Sequence, residues 1–198
     1  MLEFDTTAID FQGDSATLAA LATELRNSGY TGVIMGNASL YSPSLLKGSD
    51  PGSLEGLIIQ LPHHPFEESV HWSATGKLQD LMAQGLPNPI PDLDALTVNA
   101  FSAWLLFAQS FTRCANEGLV TRDCVLEKGK SALNWTGGGL HAPTSPGDNT
   151  PPRCTMLLKV TDGEFRRLSP ELGSDSDNGD GFACAPPVFT PPTPGTQR

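Results

Sequence analysis

The stretch from His63 to His71 holds three of the four histidines and two glutamates, and it is the first candidate for chemistry. Imidazole and carboxylate groups bind zinc when about four of them converge at roughly 2 Å, usually from rigid elements. No two of these histidines, His63, His64 and His71, are spaced at i and i+4, so one turn of a helix cannot present two of them together. Pro62 and Pro65 bracket the first two and exclude a helix. We therefore expect a solvated loop that leaves a strand and predict no metal site; a histidine-centred metalloenzyme is the alternative.

Two further motifs do not make a site. The segment DSDNGDG, residues 175–181, is similar to a calcium loop, but that pattern requires glycine at its sixth position and glutamate at its twelfth. Asp180 and Pro186 occupy those positions, so we expect a disordered acidic loop instead. The sequence contains neither a phosphate-binding loop nor the GxSxG motif of a serine hydrolase. We therefore predict that the protein is not an enzyme and that it uses no cofactor.

The composition limits the class of partner. The 198 residues carry a formal charge of -10, and so acidic a chain is a poor match for nucleic acid or for anionic membrane surfaces, which attract a basic face. Only 17% of the residues are charged, while 20 glycines and 17 prolines indicate many turns and loops. The length suits one large domain or two small ones.

The first sixty residues predict alternating strands and helices. Residues 7–11 form a short strand, Asp14 or Ser15 caps a helix, and Gly29 ends that helix at a left-handed position. An apolar stripe at helical spacing marks its buried face: Leu18, Leu21, Ala22 and Leu25. A second strand at 33–35 completes a βαβ unit, which requires parallel pairing. The segment LEGLIIQL predicts a third strand that is covered on both faces, because its apolar run does not alternate.

The later part of the chain predicts helices followed by a hairpin. Short helices are expected at GKLQDLMAQ and at TRDCVLEKGKSAL. The long helix DALTVNAFSAWLLFAQSFTRCANEG is apolar nearly all round in its middle, and we expect it to be buried in the protein. A membrane span needs about 20 uninterrupted apolar residues, and four polar residues break this run: Asn99, Ser102, Gln109 and Ser110. The segment CTMLLKVTDGEFRRLSP predicts two strands joined by a turn at residues 161–163.

The four cysteines form no CxxC motif, and their even number suits two disulfides. Cys114 ends one helix and Cys124 opens the next, so we predict a bridge across a ten-residue step, worth about 3 kcal/mol. A bridge from Cys154 to Cys184 would stabilise by roughly 3.7 kcal/mol and would hold the polar segment after Gly173. Free buried thiols are the alternative. Disulfides indicate an oxidising compartment, although the N-terminal sequence has no secretory signal.

The order of these segments resembles the second half of the type I periplasmic binding proteins, with the leucine/isoleucine/valine-binding branch as the nearest group. The segments that carry the resemblance are ATELRNSGYTGVIMGNASLYSPSLL, GSLEGLIIQLPHHPF, ALTVNAFSAWLLFAQSF, LNWTGGGLHAP and CTMLLKVTDGEFRRLSP. Together they extend from Ala8 to Cys184, and the signal lies in their succession rather than in one motif. The resemblance implies an α/β fold of three-layer lobes with parallel sheets, incomplete because the core of the N-terminal lobe is missing.

Members of this family have two lobes joined by three crossover strands, and they hold the ligand between the lobes. The resemblance implies that residues 1–61 and 152–185 form the second, C-terminal lobe, and that residues 62–151 form the returning part of the first lobe. Residues 186–198 would be a disordered tail. The hinge crossing between the lobes would consist of Pro62, His63, His64 and Pro65.

The resemblance also implies a function, which is that of an extracytoplasmic solute-binding protein. Such a protein captures a small polar ligand, such as an amino acid or an amide, for an ABC importer, and its partner is the transporter permease. Because the N-terminal part would be missing, Met1 would be an internal or truncated start. Contact with a membrane would be through a lipid anchor on that missing N-terminus. The helix around Trp104 would then expose an apolar face that favours association. A ligand-sensing receptor or regulator of the same fold is the alternative.

Ligands of open α/β sheets bind beyond the carboxyl ends of the strands, which here are the loops at residues 12–14 and 36–38. The resemblance implies that these loops supply the ligand contacts, which would be Asp14, Asn37, Ala38 and Tyr41. Similar proteins commonly place an acid in the second loop to pair with an amino-acid ammonium group. The matching segment GNASLY contains no acid, so Asp14 is the candidate for that charge, with helix capping as its other role. Asn37 and Tyr41 offer hydrogen-bonding groups.

Overall fold

The computed structural model describes residues 6–50, 52–86 and 91–186. Its strands are β1 (Ala8–Phe11), β2 (Val33–Gly36), β3 (Ile58–Leu61), β4 (Cys154–Thr161), β5 (Glu164–Ser169) and β6 (Ala183–Cys184). Its helices are α1 (Ser15–Asn27), α2 (Pro43–Lys47), α3 (Ser73–Gly85), α4 (Ala95–Asn116) and α5 (Arg122–Lys130). Of the tail predicted at 186–198, all but Pro186 lies outside the described residues.

The described strands form one mixed sheet in the order β1-β2-β3-β4-β5, with β6 paired to the start of β4. β1, β2 and β3 pair in parallel, which confirms the βαβ unit. β4 runs antiparallel to both β3 and β5, so the hairpin is also confirmed. Asp162 and Gly163 form its turn with φ angles of 55° and 75°, as a two-residue hairpin loop requires. The carboxyl ends of the three parallel strands therefore meet at one edge of the sheet.

Helix α1 follows the predicted pattern. The Asp14 side chain caps its N-terminus, and Gly29, just beyond its end, has a φ of 85°. Leu18 and Ala22 of the apolar stripe are fully buried. One hydrophobic core joins α1 and α2 to the sheet, and its buried members include Leu18, Ile34, Leu45, Ile59 and Leu158.

The opposite face of the sheet is open in the described part of the chain. Val33 and Met35 of β2 are 39% and 37% exposed, and Gln60 of β3 is exposed as well. The prediction that β3 is covered on both faces is therefore wrong, since only Ile59 and Leu61 of that strand are buried.

Helix α4 is less buried than its sequence predicts. Asp94 and Thr97 form a capping box at its start, and Ser102 lies on its buried face. Trp104 is 69% exposed and Phe107 is 48% exposed, so an aromatic face meets solvent and the prediction of a buried helix is wrong for this face. Among the described residues, no helix has the length and apolar character that a membrane span requires.

Both predicted disulfides are present, Cys114–Cys124 and Cys154–Cys184. The expected disordered acidic loop is instead folded. The carboxylate of Asp177 accepts hydrogen bonds from three backbone N–H groups, those of Gly173, Gly179 and Gly181. Acidic side chains among glycines indicate a solvated loop, so the sequence did not predict that Asp177 would accept hydrogen bonds from nearby backbone N–H groups.

Candidate functional site

The loops that follow β1 and β2 lie side by side, because their strands are parallel neighbours. Asn37 donates through Nδ2 to the Oε1 atom of Gln12 at 2.5 Å, which joins the two loops. The Oδ1 atom of Asn37 accepts from the backbone N–H and from the hydroxyl of Ser39, at 2.9 and 2.6 Å. Ala38 begins the 3-10 turn that Asn37 caps. The structure therefore brings the predicted residues of the second loop next to Gln12, a residue of the first loop to which the sequence assigned no contact.

Asp14 lies at the same edge and is exposed. Its carboxylate accepts from the backbone N–H of Thr17 at 2.9 Å and from the Thr17 hydroxyl at 2.8 Å. The backbone hydrogen bond, followed by the hydroxyl, lowers the pKa of Asp14, so this carboxyl group is an anion at neutral pH. The capping role is thus established, and the contact with a ligand stays a prediction.

Tyr41 is 1% exposed and connects the second loop to the segment that follows β3. Its hydroxyl accepts from the backbone N–H of Phe66 and donates to Oε2 of Glu67, both at 2.6 Å. Burial raises the pKa of Tyr41 and also that of Glu67. Both roles of the hydroxyl are therefore used inside the protein, and the ligand contact predicted for Tyr41 stays untested.

The segment at residues 62–65, where the hinge crossing is predicted, is here called the crossing. Its residues 63–65 are buried, which overturns the expectation of a solvated loop. His63 and His64 are 1% and 3% exposed. The backbone explains this, since His64 donates to the carbonyl of Leu140 at 3.0 Å and Ala142 donates to that of Pro62 at 2.8 Å. The crossing thus pairs with a segment about 75 residues later in the chain, as the His64–Gly139 contact also shows. No local sequence pattern could reveal such a partner.

The imidazole of His63 has one satisfied nitrogen. Nδ1 lies 3.1 Å from the carbonyl oxygen of His64 and donates to it, while Nε2 is buried without a partner among the described residues. Burial lowers the pKa of His63 to about 4. His64 lies parallel to the Trp72 ring at 3.9 Å between centroids, and burial lowers its pKa too. His71 is exposed. No group of three potential metal ligands occurs within the described ranges.

An ion pair fixes the turn that follows the crossing, Phe66–Glu68, to the hairpin. Arg167 of β5 donates to both carboxylate oxygens of Glu68, at 2.8 and 2.6 Å. The side chains are 11% and 14% exposed, and Trp72 adds a hydrogen bond from Nε1 to the same carboxylate at 2.8 Å. Although burial opposes the charge, these hydrogen bonds lower the pKa of Glu68. No local sequence pattern indicates this pair, because its members lie 99 positions apart.

A serine and a histidine also meet, Ser102 of α4 and His141. Ser102 Oγ accepts from Nε1 of Trp135 at 2.9 Å, so its own proton points to Nε2 of His141 at 2.7 Å. Nδ1 of His141 then donates to the carbonyl of Ala142 at 2.8 Å. A serine–histidine pair is an arrangement used in nucleophilic catalysis. Here Ser102 is 5% exposed and its hydrogen bonds hold the loop from 135 to 144 against α4, which makes it a structural contact.

A cavity of about 350 Å³ lies beside the crossing. Its walls come from the crossing, the start of α3, the loop at residues 136–141 and the segment at residues 180–182. They include His64, Trp72, Gly139, Asp180 and Phe182. The predicted ligand residues Asp14, Asn37, Ala38 and Tyr41 do not line this cavity. The edge of the sheet and the cavity by the crossing are therefore two separate places.

The mixed sheet and its helices match the α/β fold of the type I periplasmic binding proteins. A leucine-binding protein, LivK, from Thermotoga maritima matches with a TM-score of 0.65 and 17% identity, over 83% of this chain and 44% of its own. A fatty acid ABC transporter substrate-binding protein from Thermomonospora curvata matches with a TM-score of 0.69 and 24% identity, over 85% and 43%.

A branched-chain amino acid ABC transporter protein from Thermus thermophilus, solved with bound valine, matches with a TM-score of 0.68 and 14% identity, over 86% of this chain and 47% of its own. At these identities the likeness concerns the fold alone. This chain spans less than half the length of each of these three proteins. No protein-family model matches the sequence, and the search of curated proteins finds no match.

Proposed function

We propose that this chain forms part of an extracytoplasmic solute-binding protein that delivers a small polar ligand, such as an amino acid or an amide, to an ABC transporter permease. The observation that supports this most is the edge where the three parallel strands end. There Asp14 presents an anionic carboxylate, and the amides of Asn37 and Gln12 join adjacent loops. Ligands of α/β sheets bind at such an edge. The two disulfides support an oxidising, extracytoplasmic location.

The proposed arrangement retains the two-lobe division. Residues 1–61 with 152–185 form one lobe, residues 62–151 belong to the other, and the crossing at 62–65 is the hinge between them. In this arrangement Asp14 pairs with the ammonium group of the ligand. The Asn37 amide has a second N–H without a partner among the described residues, and this group donates to a ligand oxygen.

Thermal unfolding of the chain with increasing leucine, glutamine, acetamide or decanoic acid tests the proposal. A ligand at one hundred times its Kd should raise Tm by about 5–10 °C for a protein of this size. We expect leucine or glutamine to give this response. Asp14→Asn should remove the response to leucine or glutamine, because asparagine caps a helix as well as aspartate but cannot pair with an ammonium group.

Asp162→Asn is the matched control. It removes one carboxylate in the hairpin turn, where asparagine also adopts the left-handed conformation, and it should leave the response unchanged. Folded protein, verified by circular dichroism, that shows no shift with any of the four compounds would contradict a solute-binding role. An equal loss in both variants would contradict the role of Asp14.

A further inference from the structure

The segment from Gly173 to Cys184, here called the C-terminal strap, closes one side of the cavity by the crossing. Asp180 and Phe182 of the strap line this cavity of about 350 Å³ together with Trp72 and Gly139.

Three residues of the strap, together with the pairing of β6 with β4, hold it to the body of the protein. The carbonyl oxygen of Asp180 lies 2.8 Å from Nε2 of His64, and that of Gly181 accepts from Arg167 Nη1 at 2.7 Å. Phe182 is 1% exposed, and its ring centroid lies 4.7 Å from that of His64. The remaining hydrogen bonds of the strap that involve Asp177 are internal to it. The strap therefore keeps its own shape, and the part before Ala183 depends for docking on these two hydrogen bonds and on the Phe182 ring.

The disulfide Cys154–Cys184 fastens the end of the strap to β4, and it differs from the other bridge in exposure. Cys184 is exposed and Cys154 is half-buried. Cys114 and Cys124 are 0% and 7% exposed. Since thiol–disulfide exchange requires access of a thiolate to a sulfur atom, an external reductant should reach the bridge that holds the strap more readily than Cys114–Cys124.

We propose that the strap is a redox-operated lid, which reduction of Cys154–Cys184 releases from the cavity by the crossing. A thiolate of an external dithiol attacks the Cys184 sulfur, breaks the bridge and releases the Cys154 thiolate, leaving a mixed disulfide. The second thiol of the dithiol then displaces Cys184. The protein gains two electrons and, once both thiolates are protonated, two protons, while the dithiol becomes a disulfide. This device does not depend on the proposed solute-binding role.

The test is native-state reduction of the whole chain with dithiothreitol, followed by alkylation and mass spectrometry. We expect Cys154 and Cys184 to be labelled at least about tenfold faster than Cys114 and Cys124. Hydrogen exchange in the strap should then increase while that of α4 stays unchanged. Joint labelling of all four cysteines, or a strap that stays protected after its bridge is reduced, would overturn the proposal.

A pair of glycine variants tests the docking without a change to the cysteines. Gly181 and Gly173 have nearly equal φ angles, 78° and 75°, so alanine brings similar backbone strain at both. Only at Gly181 would the added Cβ meet another residue, at 2.6 Å from the Trp72 ring. Gly181→Ala should therefore speed the reduction of Cys154–Cys184 severalfold relative to Gly173→Ala. Equal rates in the two variants would show that docking does not control the bridge.

Discussion

The buried imidazole of His63 has hydrogen-bond partners that suit its neutral form. His63 uses one ring nitrogen to donate to a carbonyl, and its other nitrogen has no acceptor among the described residues. A proton added there would create a buried, charged N–H group without a partner, which is costly. The hydroxyl of Ser102 likewise donates to His141, which fixes the neutral tautomer of that ring.

Protonation of His63 should therefore destabilise the fold in acid. Its pKa of about 4 in the folded state lies below the ordinary value of 6.5, so the unfolded chain binds the proton more readily. The stability is present above about pH 6.5 and is lost as the pH falls towards 4, by roughly 3 kcal/mol once the pH is below both values. Urea unfolding at several pH values measures this loss.

His63→Asn keeps a donor for the carbonyl of His64 but cannot titrate. We expect it to flatten the dependence of unfolding free energy on pH between 6.5 and 4. His71→Asn, a substitution of an exposed histidine, is the matched control and should retain the slope of the unchanged protein. The same slope in all three proteins would show that His63 does not cause the acid sensitivity.

At the scale of elements, one side chain connects the turn after the crossing, the hairpin and the C-terminal strap. Arg167 of β5 binds Glu68 with two hydrogen bonds and donates to the carbonyls of Pro170 and Gly181 as well. The planar guanidinium group can satisfy all of these acceptors at once, and a lysine ammonium group cannot reproduce that geometry.

Arg167→Lys should lower the free energy of unfolding by about 3 kcal/mol, because it leaves the largely buried Glu68 carboxylate without a bidentate partner. Arg166→Lys is the control at the adjacent position. Arg166 is paired with Glu164, but the two side chains are 55% and 69% exposed, so this change should cost less than about 1 kcal/mol. Chemical denaturation measures both, and equal effects would contradict the special role of Arg167.

The elements were predictable where their signals are local. Asp14 and Gly29 mark the ends of α1, and the turn at Asp162 marks the hairpin, because each acts through neighbours within a few residues. The burial of His63 and His64 was not predictable, since it depends on residues 139–142. At the sheet edge, the sequence indicated the loops through the βαβ pattern, but not the Asn37–Gln12 contact, which needs the strand register.

At the scale of the whole molecule, two faces of the described structure present apolar side chains to solvent. One is the open face of the sheet, with Val33 and Met35, and the other is the aromatic face of α4. On α4, Trp104 meets Phe107 edge-on at 5.6 Å, and Phe107 lies 6.2 Å from Phe111. Contiguous apolar patches of this kind favour association, whereas the net charge of -10 opposes it. Salt shifts this balance by screening the charge.

The aromatic face of α4 should therefore bind a hydrophobic dye and promote self-association as the salt concentration rises. Exchange of Trp104 and Phe107 together for glutamine should reduce both dye fluorescence and the sedimentation of larger species. The same double variant should leave Tm nearly unchanged, because these side chains are 69% and 48% exposed and glutamine is a good helix former. Leu168→Gln, a substitution of a leucine that is 45% exposed on the hairpin, tests whether any loss of exposed apolar surface has this effect. If the hairpin variant reduces association as much as the α4 variant, association reflects general apolar exposure and the α4 face has no special part in it.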